Sequence, residues 1–415
     1  MDSIIKKDKE NNSFMLEVIL LKWSIIFLLY LGANVVQVTG MINIIPNIGT
    51  LRNSSFAIFV LLPLFLFSIK KGIKQRRQDL ISIIILLSIC IYNTCTDRDA
   101  NWGATITSLF MPFMYSFILF GKYAANEKKR QMVAGILIIY FLSNCSLALI
   151  ERILGFHLFE YSDSMKLGAS FRSFAFGGHP LANAVVISTI MNFLWITEIS
   201  PIKKIQYSVL CFMALFCFNT RFAIVVTAFF FCVFILHLMR ERGISFRIKQ
   251  HVMSICFIMG IVFCFLISYT SFGGRLMNIG LYDDDSAGAR LQVLLVFDKY
   301  AYSDFIWGMT LDETTELMHS SGIYGVINEN PWLIFLFRFG LIFTIIMVTV
   351  FFLYFKQIIK GISFYEKSII VLPMLFIISS FNSIGVDSVA LSVWVLCCYC
   401  LLYTSPSPRD RSLSR

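Results

Sequence analysis

The sequence predicts an all-α integral membrane protein with about twelve transmembrane helices. Of its 415 residues, 57% are hydrophobic and only 14% are charged, and the mean hydropathy is +0.75. A soluble chain carries about 25% charged residues. Apolar runs recur between short polar breaks, and about 20 apolar residues cross a bilayer as a helix. The alternating ten-residue pattern of a membrane β-barrel is absent from the sequence, so helices in lipid are the predicted architecture.

The apolar runs follow one another along almost the whole chain. The predicted spans lie near residues 18–39, 55–69, 80–94, 104–121, 132–150, 181–199, 206–219, 222–239, 252–271, 331–355, 368–381 and 388–403. We therefore predict a single polytopic membrane domain over residues 1–403.

Lysine and arginine are concentrated in alternate connections between these runs. The basic connections lie near residues 70–77, 122–130, 203–204, 240–249 and 356–367. Short basic loops stay in the cytoplasm, so both termini are predicted to be cytoplasmic, in a bacterial inner membrane. Two sizeable segments, residues 151–180 and 272–330, then lie outside in the periplasm. Function is expected there, because the cytoplasmic loops are too short to form a domain.

The net charge of +10, the 11 cysteines and the C-terminal tail are all interpreted within this membrane architecture. The positive charge lies in short loops and sets topology, so we predict no nucleic-acid partner. The cysteines lie almost wholly within apolar runs as small apolar residues, and we expect neither a metal site nor a cofactor. The polar tail, residues 404–415, matches a solvated cytoplasmic tail or a translated sequencing-adapter remnant, and carries no functional weight here.

The first outer segment ends in a run rich in glycine, with Arg172, Gly177, Gly178, His179 and Pro180 just before a predicted span. Proline suits the first turn of a helix, where a missing N–H costs nothing. The run predicts either a shaped turn at the membrane surface or a simple helix start with its arginine among the lipid headgroups.

Two further arginines interrupt apolar sequence. Arg221 follows Asn219 and Thr220 in a tight outer turn, and Arg338 lies seven residues beyond Pro331. An arginine at membrane depth costs about 2.5 to 3.5 kcal/mol even on the lenient insertion scale, so it usually faces a wet cavity or a partner. A shift of a few residues would instead place Arg221 at the headgroups.

The second outer segment is the richest in polar residues. It holds the aspartates 283–285, Arg290, His319 and Glu329. Residues 289–302 carry apolar side chains at helical spacing, which predicts an amphipathic surface helix. The aspartates are interpreted as a solvated acidic loop rather than a cation site, because no second ligand cluster has metal-site spacing.

In their order and placement, these motifs resemble the O-antigen ligase and polymerase superfamily. The resemblance covers residues 168–345. It is carried by Arg172 to Ala182 (Arg-x(4)-Gly-Gly-His-Pro-x-Ala), Asn219 to Arg221, Arg290 with the later Trp307-Gly308, and Glu329-Asn330-x-x-Leu333 to Gly340-Leu341. Ligases of this family usually carry histidine where this chain has Glu329, which favours a polymerase.

The resemblance implies a membrane glycosyltransferase that polymerises polyprenyl-diphosphate-linked repeat units into O-antigen, capsule or exopolysaccharide. Its expected partners are the lipid-linked glycan donor, a glycan acceptor, the bilayer and a chain-length regulator. Arg172, Arg221 and Arg290 are the expected diphosphate ligands, because forked guanidinium groups hold phosphate oxygens well. Glu329 and His179 are the candidate catalytic bases, and His319 is a third candidate that lies ten residues before Glu329.

Two alternatives remain open at this point. A ligase would transfer the finished glycan to a lipid core. A flippase or other transporter belongs to a different class, and it would concentrate ionisable residues near the bilayer midplane. Here such residues concentrate at the edges of the outer loops, which favours an enzyme.

Overall fold

A computed structural model describes residues 2–31, 56–72, 77–96, 109–120, 126–159, 171–177, 179–197, 200–241, 243–269, 293–323, 331–360, 362–379 and 389–402. Every regular element within these ranges is helical. The α-helices are α1 Asp2–Tyr30, α2 Phe56–Gly72, α3 Arg77–Cys95, α4 Met111–Leu119, α5 Glu127–Leu154, α6 Pro180–Thr197, α7 Pro201–Phe218, α8 Arg221–Arg240, α9 Phe246–Tyr269, α10 Tyr302–Trp307, α11 Leu311–Ser320, α12 Pro331–Ile358, α13 Phe364–Ser379 and α14 Ala390–Leu402. The all-α prediction is confirmed for these residues.

Among the described residues, six helices are long and apolar enough to cross a membrane, namely α5, α6, α7, α8, α9 and α12. Shorter apolar helices occur at 57–69, 80–93 and 390–401. The chain is thus built as a membrane-embedded helical protein. Each predicted apolar run overlaps a described helix, while the number of twelve crossings stays a prediction.

Helices α5 and α7 begin about one turn before their predicted apolar runs because polar caps extend them. The Asn126 side chain accepts the backbone N–H of Lys128 at 2.9 Å, and the Ser200 hydroxyl accepts that of Lys203. Asparagine and serine are strong N-cap residues, and Pro201 occupies the first turn of α7, where it is well tolerated.

Helix α6 lies at the centre of the bundle, with 78% of its span buried. It packs against α5, α7, α8, α13 and α14. Its Trp195 is 1% exposed and donates its indole N–H to the Ser208 hydroxyl at 2.8 Å. Helix α9 is the opposite case, since only 6% of its span is buried and it packs mainly on α7. The segment that carries Arg172 therefore leads into the most buried of the six long helices.

A break in α12 fastens the end of α10 to the bundle. Gly340 interrupts the helix with φ 70° and ψ 172°, and Gly308 follows α10 with φ 82° and ψ 174°. The two glycine backbones lie against each other, and Met309 donates its N–H to the Phe337 carbonyl at 2.7 Å. The sequence predicted one continuous helix from Pro331, so this break is a finding of the structure.

The amphipathic surface helix predicted over residues 289–302 is not one α-helix. Residues 293–299 form a 3₁₀ helix, and α10 begins separately at Tyr302. Three residues per turn place Val293 and Val296 on one face, where they are 1% and 0% exposed. They belong to a second apolar cluster whose buried members are Val293, Val296, Met309, Ile323, Leu333 and Phe337. We name it the outer apolar cluster because most of it lies in the segment predicted to be periplasmic. Packing into this cluster accounts for the tighter helix.

The predicted orientation is tested by thiol labelling at two exposed serines. Ser320 ends α11 in the second outer segment, and Ser245 precedes α9 in a basic connection. In intact cells, an impermeant maleimide should label Ser320→Cys, whereas Ser245→Cys should react only after the cells are opened. The parent protein serves as the background control, and the reverse pattern would invert the topology.

Candidate functional site

The loop that carries Arg172 is held by a buried carboxylate. Glu151, in the last turn of α5, is 0% exposed. Its Oε2 accepts the backbone N–H groups of Phe174 at 2.8 Å and Ala175 at 3.0 Å, and its Oε1 accepts that of Leu158 at 3.2 Å. Because a buried charge needs hydrogen bonds to offset lost hydration, this carboxylate fixes the backbone of residues 171–177, which we name the arginine loop.

Two buried asparagines fix the second half of the arginine loop. Asn144 of α5 donates to Asn183 Oδ1 at 3.1 Å and accepts the N–H of Phe176 at 3.2 Å. The same Asn183 oxygen accepts the N–H of Gly177 at 3.2 Å, and its amide donates to the Phe174 carbonyl. Helices α5 and α6 are thereby joined through the loop backbone.

The arginine loop needs small residues at two positions. Ala175 has φ 43°, a left-handed conformation that is uncommon for residues other than glycine. A Cβ atom on Gly177 would lie 2.5 Å from Asn183 Oδ1, too close for a stable contact. The glycine noted in the sequence is therefore required by the close approach of the Asn183 amide.

Arg172 is 9% exposed and binds the end of helix α7. Its Nε donates to the Phe218 carbonyl at 3.1 Å, and its Nη2 donates to the Asn219 carbonyl at 3.4 Å. A cation at a helix C-terminus is favourable because the last carbonyl groups lack helical partners. Arg172 thus lies in protein rather than among lipid headgroups, and it contacts the turn that precedes Arg221.

The turn between α7 and α8 presents a helix N-terminus. Asn219 adopts the left-handed conformation with φ 52°, and Thr220 is the N-cap of the 20-residue helix that Arg221 begins. Thr220 is 2% exposed, and within the part of the chain that the structure describes it makes no side-chain capping bond and its hydroxyl has no hydrogen-bond partner. Unpaired N–H groups and the helix dipole make such an N-terminus attractive to anions.

His179 lies at the start of α6, one residue before Pro180, as the sequence predicted. Its Nδ1 accepts the backbone N–H of Leu181 at 3.3 Å, and its carbonyl accepts the N–H of Asn183 at 3.1 Å. In a neutral imidazole that accepts at Nδ1, the proton is on Nε2. This geometry favours His179 as a hydrogen-bond donor.

Three other polar residues lie on the elements that form the outer apolar cluster. His319 is exposed in the last turn of α11. Burial, and secondarily the nearby Asp304 charge, raises the pKa of the Tyr300 phenol, so the phenol stays neutral at physiological pH. Arg338 is partly buried, two residues before the break at Gly340.

Arg172 donates to the Asn219 carbonyl, in the turn that precedes Arg221. His179 follows the arginine loop along the chain, at the start of α6. His319 is exposed on α11, whose neighbouring Leu317 and Met318 pack against the outer apolar cluster. Glu329, Arg290 and the aspartates 283–285 fall outside the described residues.

Three residues important for the site geometry were not singled out by the sequence analysis, namely Glu151, Asn144 and Asn183. The sequence contained a usable signal, because Glu151 directly follows a long apolar run and Asn144 interrupts it. Polar side chains in a membrane helix are costly, so each implies a partner. Glu151 and Asn144 bind backbone groups more than twenty residues further along the chain. Residue spacing in the sequence does not reveal such partners.

Comparisons with known proteins do not assign this chain to a family. No protein-family model matches the sequence, and no curated protein matches it significantly.

Proposed function

We propose that this protein is a membrane glycosyltransferase that polymerises polyprenyl-diphosphate-linked oligosaccharide repeat units on the outer face of a bacterial inner membrane. The observation that carries the proposal is the turn at Thr220. There a helix N-terminus with an unpaired buried hydroxyl lies between Arg221 and the carbonyls that Arg172 binds. Arginine side chains and helix N-termini both bind phosphate oxygens. The motif resemblance to the O-antigen polymerases supplies the substrate class.

The reaction would be one displacement at the anomeric carbon of the donor sugar. An acceptor hydroxyl forms the new glycosidic C–O bond while the bond to the diphosphate breaks, and the lipid diphosphate leaves with the electron pair. Arg172, Arg221 and Arg290 would stabilise the negative charge that develops on the leaving group. No metal or other cofactor is required for this step, and a single displacement inverts the anomeric centre.

A base must accept the proton of the attacking hydroxyl. The bond from Leu181 to His179 favours His179 as a donor, so Glu329 is our candidate base. His319 remains the third candidate base, since it is exposed on α11.

Deletion of the gene tests the proposal, because polymerase and ligase use the same donor but different acceptors. In a strain that makes O-antigen, loss of the polymerase should leave surface glycolipid bearing a single repeat unit, since the separate ligase still acts. Electrophoresis of the extracted glycolipid measures this directly. Bare core with long glycan accumulating on its lipid carrier would instead identify a ligase. Finished lipid-linked repeat units that stay on the cytoplasmic face of the membrane would indicate a flippase.

A further inference from the structure

The segment on both sides of Arg172 is fastened to one turn of α5. Arg152 donates to the Phe171 carbonyl just before it, and the Ser173 hydroxyl donates to the Ala148 carbonyl at 2.8 Å just after it. Glu151 binds the next two backbone N–H groups. The main chain on both sides of Arg172 is therefore tied to the C-terminal part of α5, and the Ser173 N–H also donates to the Cys217 carbonyl of α7 at 3.0 Å.

Glu151 is unsuited to direct chemistry. It is fully buried, and its two oxygens already accept three backbone N–H groups. His157 lies beside it, with Nδ1 3.8 Å from Oε2, stacked on the rings of Phe171 and Phe174 at 4.6 and 4.1 Å. These aromatic rings enclose the carboxylate, so a glycan hydroxyl would have no approach to it.

We propose that Glu151 is the positioning residue of the diphosphate site, acting through Arg172. By fixing the arginine loop, it keeps the Arg172 guanidinium on the carbonyls of Phe218 and Asn219. That contact in turn holds the turn from which Thr220 and Arg221 present the N-terminus of α8. The inference rests on the proposed function only in taking a polyprenyl diphosphate as the ligand of this site.

Glu151→Gln is the informative substitution because it keeps the shape of the side chain and removes the charge. The amide nitrogen is a donor, so it must face at least one of the three N–H groups that the carboxylate accepts. Backbone amide exchange at Phe174 and Ala175, measured by mass spectrometry on the full chain in nanodiscs, should accelerate. Glu151→Asp retains the charge and both acceptors, and should restore part of the protection.

The ligand test uses farnesyl diphosphate, a short polyprenyl diphosphate, and needs no polymerisation. Glu151→Gln should raise its Kd about tenfold, as expected for one weakened charge-assisted contact. Glu316→Gln is the matched control, because Glu316 is exposed on the outer helix α11; its Kd should equal that of the parent protein. If the Glu151→Gln protein does not accumulate in the membrane, the same Kd is measured for Glu151→Asp, where a smaller rise is expected.

A double substitution separates positioning from general stability. If Glu151 acts through Arg172, adding Glu151→Gln to Arg172→Lys should weaken binding no further than Arg172→Lys alone. Fully additive losses would overturn the inference, as would parent-like Kd in Glu151→Gln or no binding to the parent protein. A parent protein that binds farnesyl diphosphate but forms no polymer would overturn the proposed polymerase while leaving the positioning role supported.

Discussion

Replacing Gly340 with alanine is expected to destabilise the protein strongly. The residue has φ 70° and ψ 172°, a region that is essentially confined to glycine and costs other residues about 1 to 3 kcal/mol. A Cβ atom there would also lie 2.5 Å from the carbonyl carbon of Trp307, with two further backbone atoms nearer still. Backbone atoms cannot rotate away as a side chain can, so α10 must move out of the break.

Gly308→Ala should have a similar effect, because its Cβ would lie 2.6 Å from the Arg338 carbonyl oxygen and 2.8 Å from the Gly340 nitrogen. Gly135 is the control, since it lies within helix α5 with no neighbouring atom within 4 Å of an added Cβ. Gly135→Ala should be neutral or stabilise by up to about 1 kcal/mol. The measurement is thermal unfolding in detergent, and equal melting temperatures for all three variants would contradict the tight interlock.

Arg172→Lys should lower polymer synthesis by about a hundredfold while the protein still inserts. Lysine keeps the positive charge, but its single ammonium cannot reproduce the two guanidinium bonds to the Phe218 and Asn219 carbonyls. The turn before Arg221 would then lose its fastening, and the forked contact expected with the diphosphate would be lost as well. Polymer formed from lipid-linked repeat units by purified protein in vesicles measures the effect.

Arg240→Lys provides the matched control for this substitution, because Arg240 is exposed at the far end of α8. Its polymer yield should equal that of the parent protein, with membrane abundance checked for both variants. Near-normal polymer from Arg172→Lys would refute the role proposed for Arg172.

The positions of the helices were largely predictable because lipid imposes a simple rule. Every apolar run of the required composition coincides at least in part with a described helix. Several helices begin before their apolar runs, including α1 at Asp2 and α9 at Phe246. At α5 and α7 the difference is about a turn, since Asn126 and Ser200 cap helices that begin in polar sequence. A helix start that is set by a polar cap cannot be predicted from the position of the apolar run alone.

The features that the sequence analysis did not predict depend on tertiary contacts. The break at Gly340 depends on Gly308, which lies 32 residues earlier, and neither glycine alone predicts the contact. The 3₁₀ helix at 293–299 forms because its valines pack into the outer apolar cluster. At the candidate site, Arg221 was predicted from its costly placement and Arg172 from its glycine-rich run and the motif resemblance. Glu151, by contrast, binds backbone groups that have no distinctive sequence.

The way the arginine loop is held has a consequence for its variation. Glu151, Asn144 and Asn183 bind N–H and carbonyl groups of the loop main chain, and every residue except proline offers both. Loop positions whose side chains are not used for these contacts, such as Phe176, can therefore vary during divergence without changing the path of the loop, provided that the three residues beneath it are retained. Among diverged copies of this gene, Glu151, Asn144 and Asn183 should be replaced less often than Phe174 or Phe176.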